Sequence, residues 1–478
     1  MKAPLARALS VLGVTCALYA GASCDSEPET QPPPEPAPDV VTATRGVMVD
    51  ELGRQVVLRG LNARVQGLFD VTFADGRVGL EEIPPFTGDD CAFIAGELGM
   101  NHLRLPINWS AIEPERGAYQ QAYVDRVLEL AAACDAQGVA TLIDLHQDAY
   151  SKHIGEDGAP LWAIVPPPTE LLQGPLTDLE ARRTSEQVLT AFDSFFNDRE
   201  AVQTAYAEMV AWLAGRIVGQ PGVVGLEIMN EPYLFGFEDR LDDMNARVGR
   251  AAREAAPALT LFFEPNSLRN LTDTADVRTP IPYDDAVYAP HLYVDVFEDG
   301  WASGDVQKIR ASLEKAIGEA GEHGTALYVG EFGHGPDEHG LTYVTACLDL
   351  FDEHAVSSAW WVYEEYSQGG WGLYDPREPG QTRGALREAV ADTLARPYPA
   401  RTAGSLQGFN FDAGTRTLTA RVDAPLKGVN HVIAVPRRVY PSGLVVRCDG
   451  VAVEATSAGP GRIEVACEGH EIQVAPAE

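Results

Sequence analysis

With 478 residues, the chain is long enough for one large domain and a smaller one, and its 45% hydrophobic and 22% charged content is that of a folded, water-soluble protein. Its 70 acidic residues against 36 basic ones give a formal charge of -34, a surface that repels nucleic acid and anionic lipid headgroups at low salt. Phosphate-rich partners are thereby excluded, nucleic acid first among them.

Lys2 and Arg7 precede an apolar run from Ala8 to Ala20, too short to cross a bilayer comfortably and right for a signal-peptide core. Gly21, Ala22 and Ser23 then lead into Cys24, which resembles a bacterial lipoprotein signal with the cysteine as lipidated first residue of the mature chain. Gly21 stands where Leu is usual, so ordinary secretory cleavage is the alternative; both predict export, with residues 1–24 removed or processed. Residues 25–42 are acidic and proline-rich, with nothing to bury, and read as an extended tether.

From Gln55 onward, short apolar runs alternate with longer amphipathic ones. The predicted strands are VVLRGLNA from Val56, HLRLPI from His102, VATLIDLH from Val139, VVGLEIMNE from Val223, LTLFFEP from Leu259, AVYAPHLY from Ala286, TALYVGEFG from Thr325 and VSSAWWVYEEY from Val356. Helical spacing lies between them, as in YVDRVLELAAACDAQG from Tyr123, ended by Gly138, and again from Val202 to Ile217. This alternation predicts an α/β fold, a (β/α)8 TIM barrel over residues 43–396. A doubly wound open sheet is the competitor, but GLNARVQG after the first strand lacks the glycines of a phosphate-binding turn.

Polar groups recur at the same end of strand after strand: Arg104, His146 with Asp148, Asn230 with Glu231, His291 with Tyr293, Glu331 and Trp361. A barrel gathers C-terminal strand ends at one mouth, so these scattered residues become neighbours. In VVGLEIMNEPY, Pro232 ends the strand and fixes the chain just beyond Glu231. Glu331 occupies the matching place in YVGEFG. Two carboxylates facing each other there suit hydrolysis of a glycosidic bond, and their separation decides the stereochemistry.

The ordered set LRLPI, DLHQD, MNEP, APHLY, VGEFG and AWWVY resembles glycoside hydrolase family 5, and DLHQDAYS, GEDGAPLWAI, FDSFFND, GGWGLYD and RPYPARTAG are similar to its endoglycoceramidase-related branch. The resemblance implies Glu231 as acid/base and Glu331 as nucleophile of a retaining mechanism without cofactor or metal. It further implies that Arg104 keeps Glu331 ionised, Asn230 donates to the sugar 2-hydroxyl, His146 and Asp148 bind sugar hydroxyls, His291 and Tyr293 line the site, and Trp361 floors the sugar ring. The acid is expected to start with a raised pKa and the nucleophile to stay ionised.

A connection of about fifty residues after His146 is far longer than usual. Its Tyr150, Trp162, Ile164, Phe192, Phe195 and Phe196 read either as packing onto the barrel or as an apolar ledge for a lipid leaving group. The expected substrate is a glycolipid or oligosaccharide met as a monomer, with contact to a membrane or micelle. An endo-β-1,4-glucanase and a steryl or simple lipid β-glucosidase are the alternative enzymes, and a carbohydrate binder without activity is the alternative outside enzymes.

After Arg396 the pattern changes to short alternating segments, LTARVDA, HVIAVPRRV, GLVVRCDG, VAVEA and RIEVACEG, which predict a small antiparallel β-sandwich over residues 397–478. It reads as a surface-contacting module or as a buttress on the barrel. Cys448 and Cys467 flank one of its hairpins and can pair in an oxidising compartment, whereas pairing among Cys91, Cys134 and Cys347 does not follow from their spacing. If Cys24 is the lipidated residue, the Cys24→Ala protein leaves the membrane fraction on cell fractionation; an unchanged partition refutes the anchor.

Overall fold

Eight short parallel strands close on themselves in chain order: β1 (Arg59–Asn62), β2 (His102–Ile107), β3 (Ala140–Leu145), β4 (Val223–Glu227), β5 (Leu261–Phe263), β6 (Ala286–Tyr288), β7 (Ala326–Phe332) and β8 (Ser357–Trp360). The computed structural model describes residues 42–477 except 45, 178, 234–237, 275–279, 367–369 and 379, so the leader, Cys24 and nearly all of the tether lie outside the described residues. Inside the barrel the side-chain period of two sets what reaches the mouth. Leu142, Phe262 and Ala289 belong to the apolar lower layer, and the next inward residues two places on are Asp144, Glu264 and His291. Gly60 and His102 are likewise followed by Asn62 and Arg104, which sit side by side in the β1–β2 register.

The helices cover the outside of the barrel. Cys91 and Cys134 form a disulfide between helix Gly88–Gly96 and helix Gln121–Asp135, tying two neighbours of this outer ring. Cys448 and Cys467 are also bonded, and Cys347 is a buried free thiol.

The predicted first strand is divided. Gln55–Val56 pairs not with the barrel but with Tyr398–Thr402, and only Arg59–Asn62 enters β1. Together with Thr42–Thr44 and Val47–Val49, this entry segment completes a seven-stranded sheet with C-terminal strands. A five-stranded sheet, with Ser405–Asp412 and Thr417–Asp423 at one end, packs on it, giving the antiparallel sandwich expected at the C-terminus. The sandwich meets the barrel at the N-terminal ends of the strands. Arg462 donates to the carbonyl of Gly138 just before β3 (2.9 Å), Arg437 donates its amide N–H to Gly96, and Gly99 lies against Pro436 so closely that a Cβ would be 2.9 Å away. Arg59 and Arg396 clasp the buried Asp352, each at 2.9 Å. The module is therefore a buttress beneath the barrel, on the face opposite the strand tips.

Closing a 43-residue loop, the Cys91–Cys134 bond constrains the unfolded chain. The Cys91→Ser, Cys134→Ser double variant should lose about 2–4 kcal/mol of unfolding free energy. Urea denaturation checks this, and no change in midpoint would mean the bond contributes nothing.

Candidate active site

Arg104, fully buried in the middle of β2, organises the mouth. Its Nε and Nη2 take the Glu227 carboxylate in a two-pronged grip (2.7 and 3.0 Å), Nη1 donates to Glu331 (2.7 Å) and Asn62 (2.9 Å), and Nη2 also reaches Asn230 (2.8 Å), Asp144 (3.1 Å) and Glu264 (3.4 Å). One guanidinium thus faces carboxylates from β3, β4, β7 and the end of β5. Its planar fork allows this where a lysine could not.

Beyond β4 the chain turns sharply. Glu231 has φ of 38°, a left-handed conformation costly for a residue with a Cβ. Gln147 holds it there, donating from Nε2 to the carbonyls of both Asn230 and Glu231 (2.8 Å each). The Glu231 carboxylate receives His291 Nδ1 at 2.8 Å and Asn270 Nδ2 at 3.3 Å. Glu331 accepts from Arg104 on one oxygen and from the Tyr293 hydroxyl on the other (2.9 Å). Gly330, just before it, lets His291 pack against β7, since a Cβ there would come within 3.0 Å of the imidazole. His291 Nδ1 also lies 3.5 Å from Glu331, and carboxylate oxygens of Glu231 and Glu331 are within 4.8 Å of each other.

Charge follows from this packing. Burial disfavours a charged His291, but the charges of Glu264 and Glu331 and the bonds to Glu231 and Glu264 outweigh it and hold its pKa well above the ordinary value. Burial pushes Glu231 up, yet the hydrogen bond and charge of His291 bring it below the usual carboxylate value. At Glu331 burial prevails over His291 and Arg104, and the pKa stays raised. The expected order of the two carboxyls is therefore reversed in the free site, because the proton beside Glu231 rests on His291.

The opposite side of the mouth is polar. His146 is held by Asp144 at Nδ1 (2.6 Å), faces Asp148 at 3.7 Å and stacks on Trp361, with ring centroids 5.7 Å apart. Against burial, Asp144 raises His146 well above its ordinary pKa. Asp148, bound by Arg183 at 2.6 Å, is brought down to about 2 although burial opposes it. Arg64 sits over the Trp361 ring and pairs with Glu81 and Glu365.

All nine predicted site residues therefore converge on one mouth. The long connection does not supply the ledge. Tyr150, Ile164, Phe192, Phe195 and Phe196 are buried, with Tyr150 edge-on to Phe192 and Phe195 edge-on to Tyr206, and Trp162 packs edge-on against Trp109. These rings wedge the connection onto the barrel. Among the described residues the exposed aromatic lies elsewhere: Phe297 is 62% exposed, stacks on Trp371 and touches Tyr293 (5.3 Å).

Sequence reasoning missed Asp144, Gln147, Arg183, Glu227, Glu264 and Asn270. The period of two was the available signal for Asp144 and Glu264. Among the described residues, three clusters bring carboxylate and imidazole atoms within 4.8 Å, namely His146 with Asp148 and Asp157, Glu227 with Glu264 and His291, and Glu231 with His291 and Glu331.

A closed parallel barrel with two facing carboxylates at its C-terminal mouth belongs to the class of glycoside hydrolases. The family model for cellulase (glycosyl hydrolase family 5) matches residues 77–367, and that for the glycoside hydrolase family 5 C-terminal domain matches residues 396–474. The chain belongs to glycosyl hydrolase family 5. It is 28% identical to endoglycoceramidase I of Rhodococcus hoagii (strain 103S) over 443 residues, 87% of this chain and 83% of the relative. Identity to the endoglycoceramidase of Cyanea nozakii is 23% over 413 residues, 77% and 78% of the two chains. A crystal structure of endogalactoceramidase superposes with a TM-score of 0.75 at 26% identity, covering 91% of this chain and 99% of that one.

Tyr293 donates to the ionised form of Glu331, so Tyr293→Phe should raise the pKa of that carboxyl. Activity that needs Glu331 as an anion is lost as pH falls through this pKa. The acid limb of kcat/KM should accordingly move up by about 0.5–1 pH unit. A pH profile on an aryl β-glycoside checks it, and an unmoved limb refutes the contact's role.

Proposed function

We propose that the protein is an exported retaining β-glycosidase that cleaves the bond between glycan and lipid in glycosphingolipids. The observation that carries the chemistry is the approach of the Glu231 and Glu331 oxygens to within 4.8 Å, compatible with the roughly 5–5.5 Å carboxyl separation of retaining enzymes. Glu331 has the guanidinium and the phenol that stabilise an attacking anion, which supports it as nucleophile. Glu231 is the more open of the pair, its side chain 16% exposed against 8%, and its proton source His291 is in contact, which supports it as acid/base. Attack by Glu331 at the anomeric carbon expels the leaving oxygen as Glu231 protonates it; Glu231 then deprotonates the water that releases the sugar.

Two things support the lipid. Similarity to endoglycoceramidases runs the length of barrel and sandwich. The mouth is also divided, with His146, Asp148, Arg183 and Trp361 offering hydrogen bonds and an aromatic face to sugar, and exposed Phe297 beside Tyr293 offering apolar surface to an aglycone.

The test is product analysis after incubation with a ganglioside, a simple glucosylceramide and a soluble β-glucan. Release of intact oligosaccharide plus ceramide, abolished in Glu331→Gln, is the expected outcome. Glucose from glucosylceramide alone would narrow the enzyme to small headgroups, and shortening of the glucan with both lipids intact would overturn the lipid reading.

A further inference from the structure

Glu264 stands behind the two facing carboxylates, where no sugar reaches it. Its residue is 1% exposed, and Oε1 lies 3.2 Å from His291 Nε2 and 3.4 Å from Arg104 Nη2. No donor reaches Oε2. The carboxyl also hydrogen-bonds that of Glu227, which already takes both prongs of Arg104. Two carboxyl groups that hydrogen-bond each other in a dry site share a proton, since like charges so close cannot both persist. Glu227 is neutralised by the guanidinium, so the proton belongs on Glu264. A proton on Glu264 then makes its carboxyl the donor to Glu227. Burial and the charge of Glu227 favour that neutral form, and the imidazole of His291 and the guanidinium of Arg104 oppose it.

We propose that Glu264 is a positioning residue working as a neutral acid, donating to Glu227 and standing 3.2 Å from His291 Nε2, so that the imidazolium behind Glu231 is oriented without being locked by a third anion. This rests on the acid/base role of Glu231 proposed above. When the leaving oxygen arrives, the Nδ1–H bond of His291 breaks and an O–H bond forms on Glu231 Oε1. The imidazole is left neutral, its Nε2 still 3.2 Å from Glu264, and Glu264 keeps its own proton throughout. An ionised Glu264 would hold the imidazolium and oppose this transfer. The groups facing Glu264 are Arg104 from β2, Glu227 from β4 and His291 from β6.

Infrared difference spectroscopy on the whole protein labelled with carbon-13 at glutamate tests the protonation state without recourse to activity. A carboxylic-acid C=O band that persists from about pH 5 to pH 9, where an ordinary glutamate is ionised, and that vanishes in Glu264→Gln is expected. Its absence from the wild-type protein overturns the proposal, and this holds whether or not any glycolipid is cut. In kinetics on an aryl β-glycoside, Glu264→Ala should lose about 100-fold in kcat while Glu264→Gln, the isostere of the neutral acid, recovers most of the loss with the pH limbs in place. A Gln variant as poor as the Ala variant, or an alkaline limb displaced by about one unit, would show an anion at this position and overturn it.

Discussion

The mouth depends on one constraint: a single buried guanidinium, Arg104, meets the carboxylates of Asp144, Glu227, Glu264 and Glu331. Removing charges from water costs several kcal/mol each, and one positive charge cannot offset four negative ones. The remaining balance is met by protons. Asp144 has His146, Glu331 and Glu231 share His291, and Glu264 lies against Glu227. The histidines at the ends of β3 and β6 are thus part of the electrostatic structure of the barrel before they are part of any chemistry. The same constraint explains why the carboxylates come from different strands, since only a closed barrel brings the ends of β3, β4, β5 and β7 around Arg104 on β2.

Much of this was legible in the residues. Apolar runs ending in His146, Asn230-Glu231, His291 and Glu331 mark strand tips, because a polar group at the close of a doubly buried strand has nowhere else to go, whereas Arg104 stands mid-strand with Leu105–Ile107 still to follow. Glu264 and Glu227 escaped for the same physical reason. They sit within or right beside runs that read as core, and a lone acid there looks like a solvated edge until its inward parity is known. Asn270 and Arg183 lie on short helices whose approach to the mouth is set by tertiary packing. The aromatics after His146 illustrate the opposite error. Composition alone does not separate a ring that covers a loop from a ring that offers surface, and here burial of Phe192 and Phe195 decides for the first.

Stability and chemistry occupy opposite ends of the barrel. The entry strands and C-terminal strands form one sandwich under the N-terminal ends of the barrel strands, tied in by Arg59, Arg396 and Asp352, while the mouth is left open. Glu231 takes its left-handed turn at the open end, where Gln147 and Asn270 pin it, and the buttressed end carries none of the facing carboxylates.

The reversed order of the Glu231 and Glu331 pKa values also finds its place in this scheme. In a free site, a proton on Glu231 would leave His291 neutral among Glu264 and Glu331, whereas a proton on His291 serves Glu231 and Glu331 at once through Nδ1. With the roles proposed above, the resting site stores its acid one hydrogen bond away from where it is used. In that reaction a leaving oxygen, by accumulating negative charge next to Glu231, favours transfer of that proton as the glycosidic bond breaks. General acid catalysis asks for this timing, and here it follows from the placement of one imidazole between three carboxyl groups.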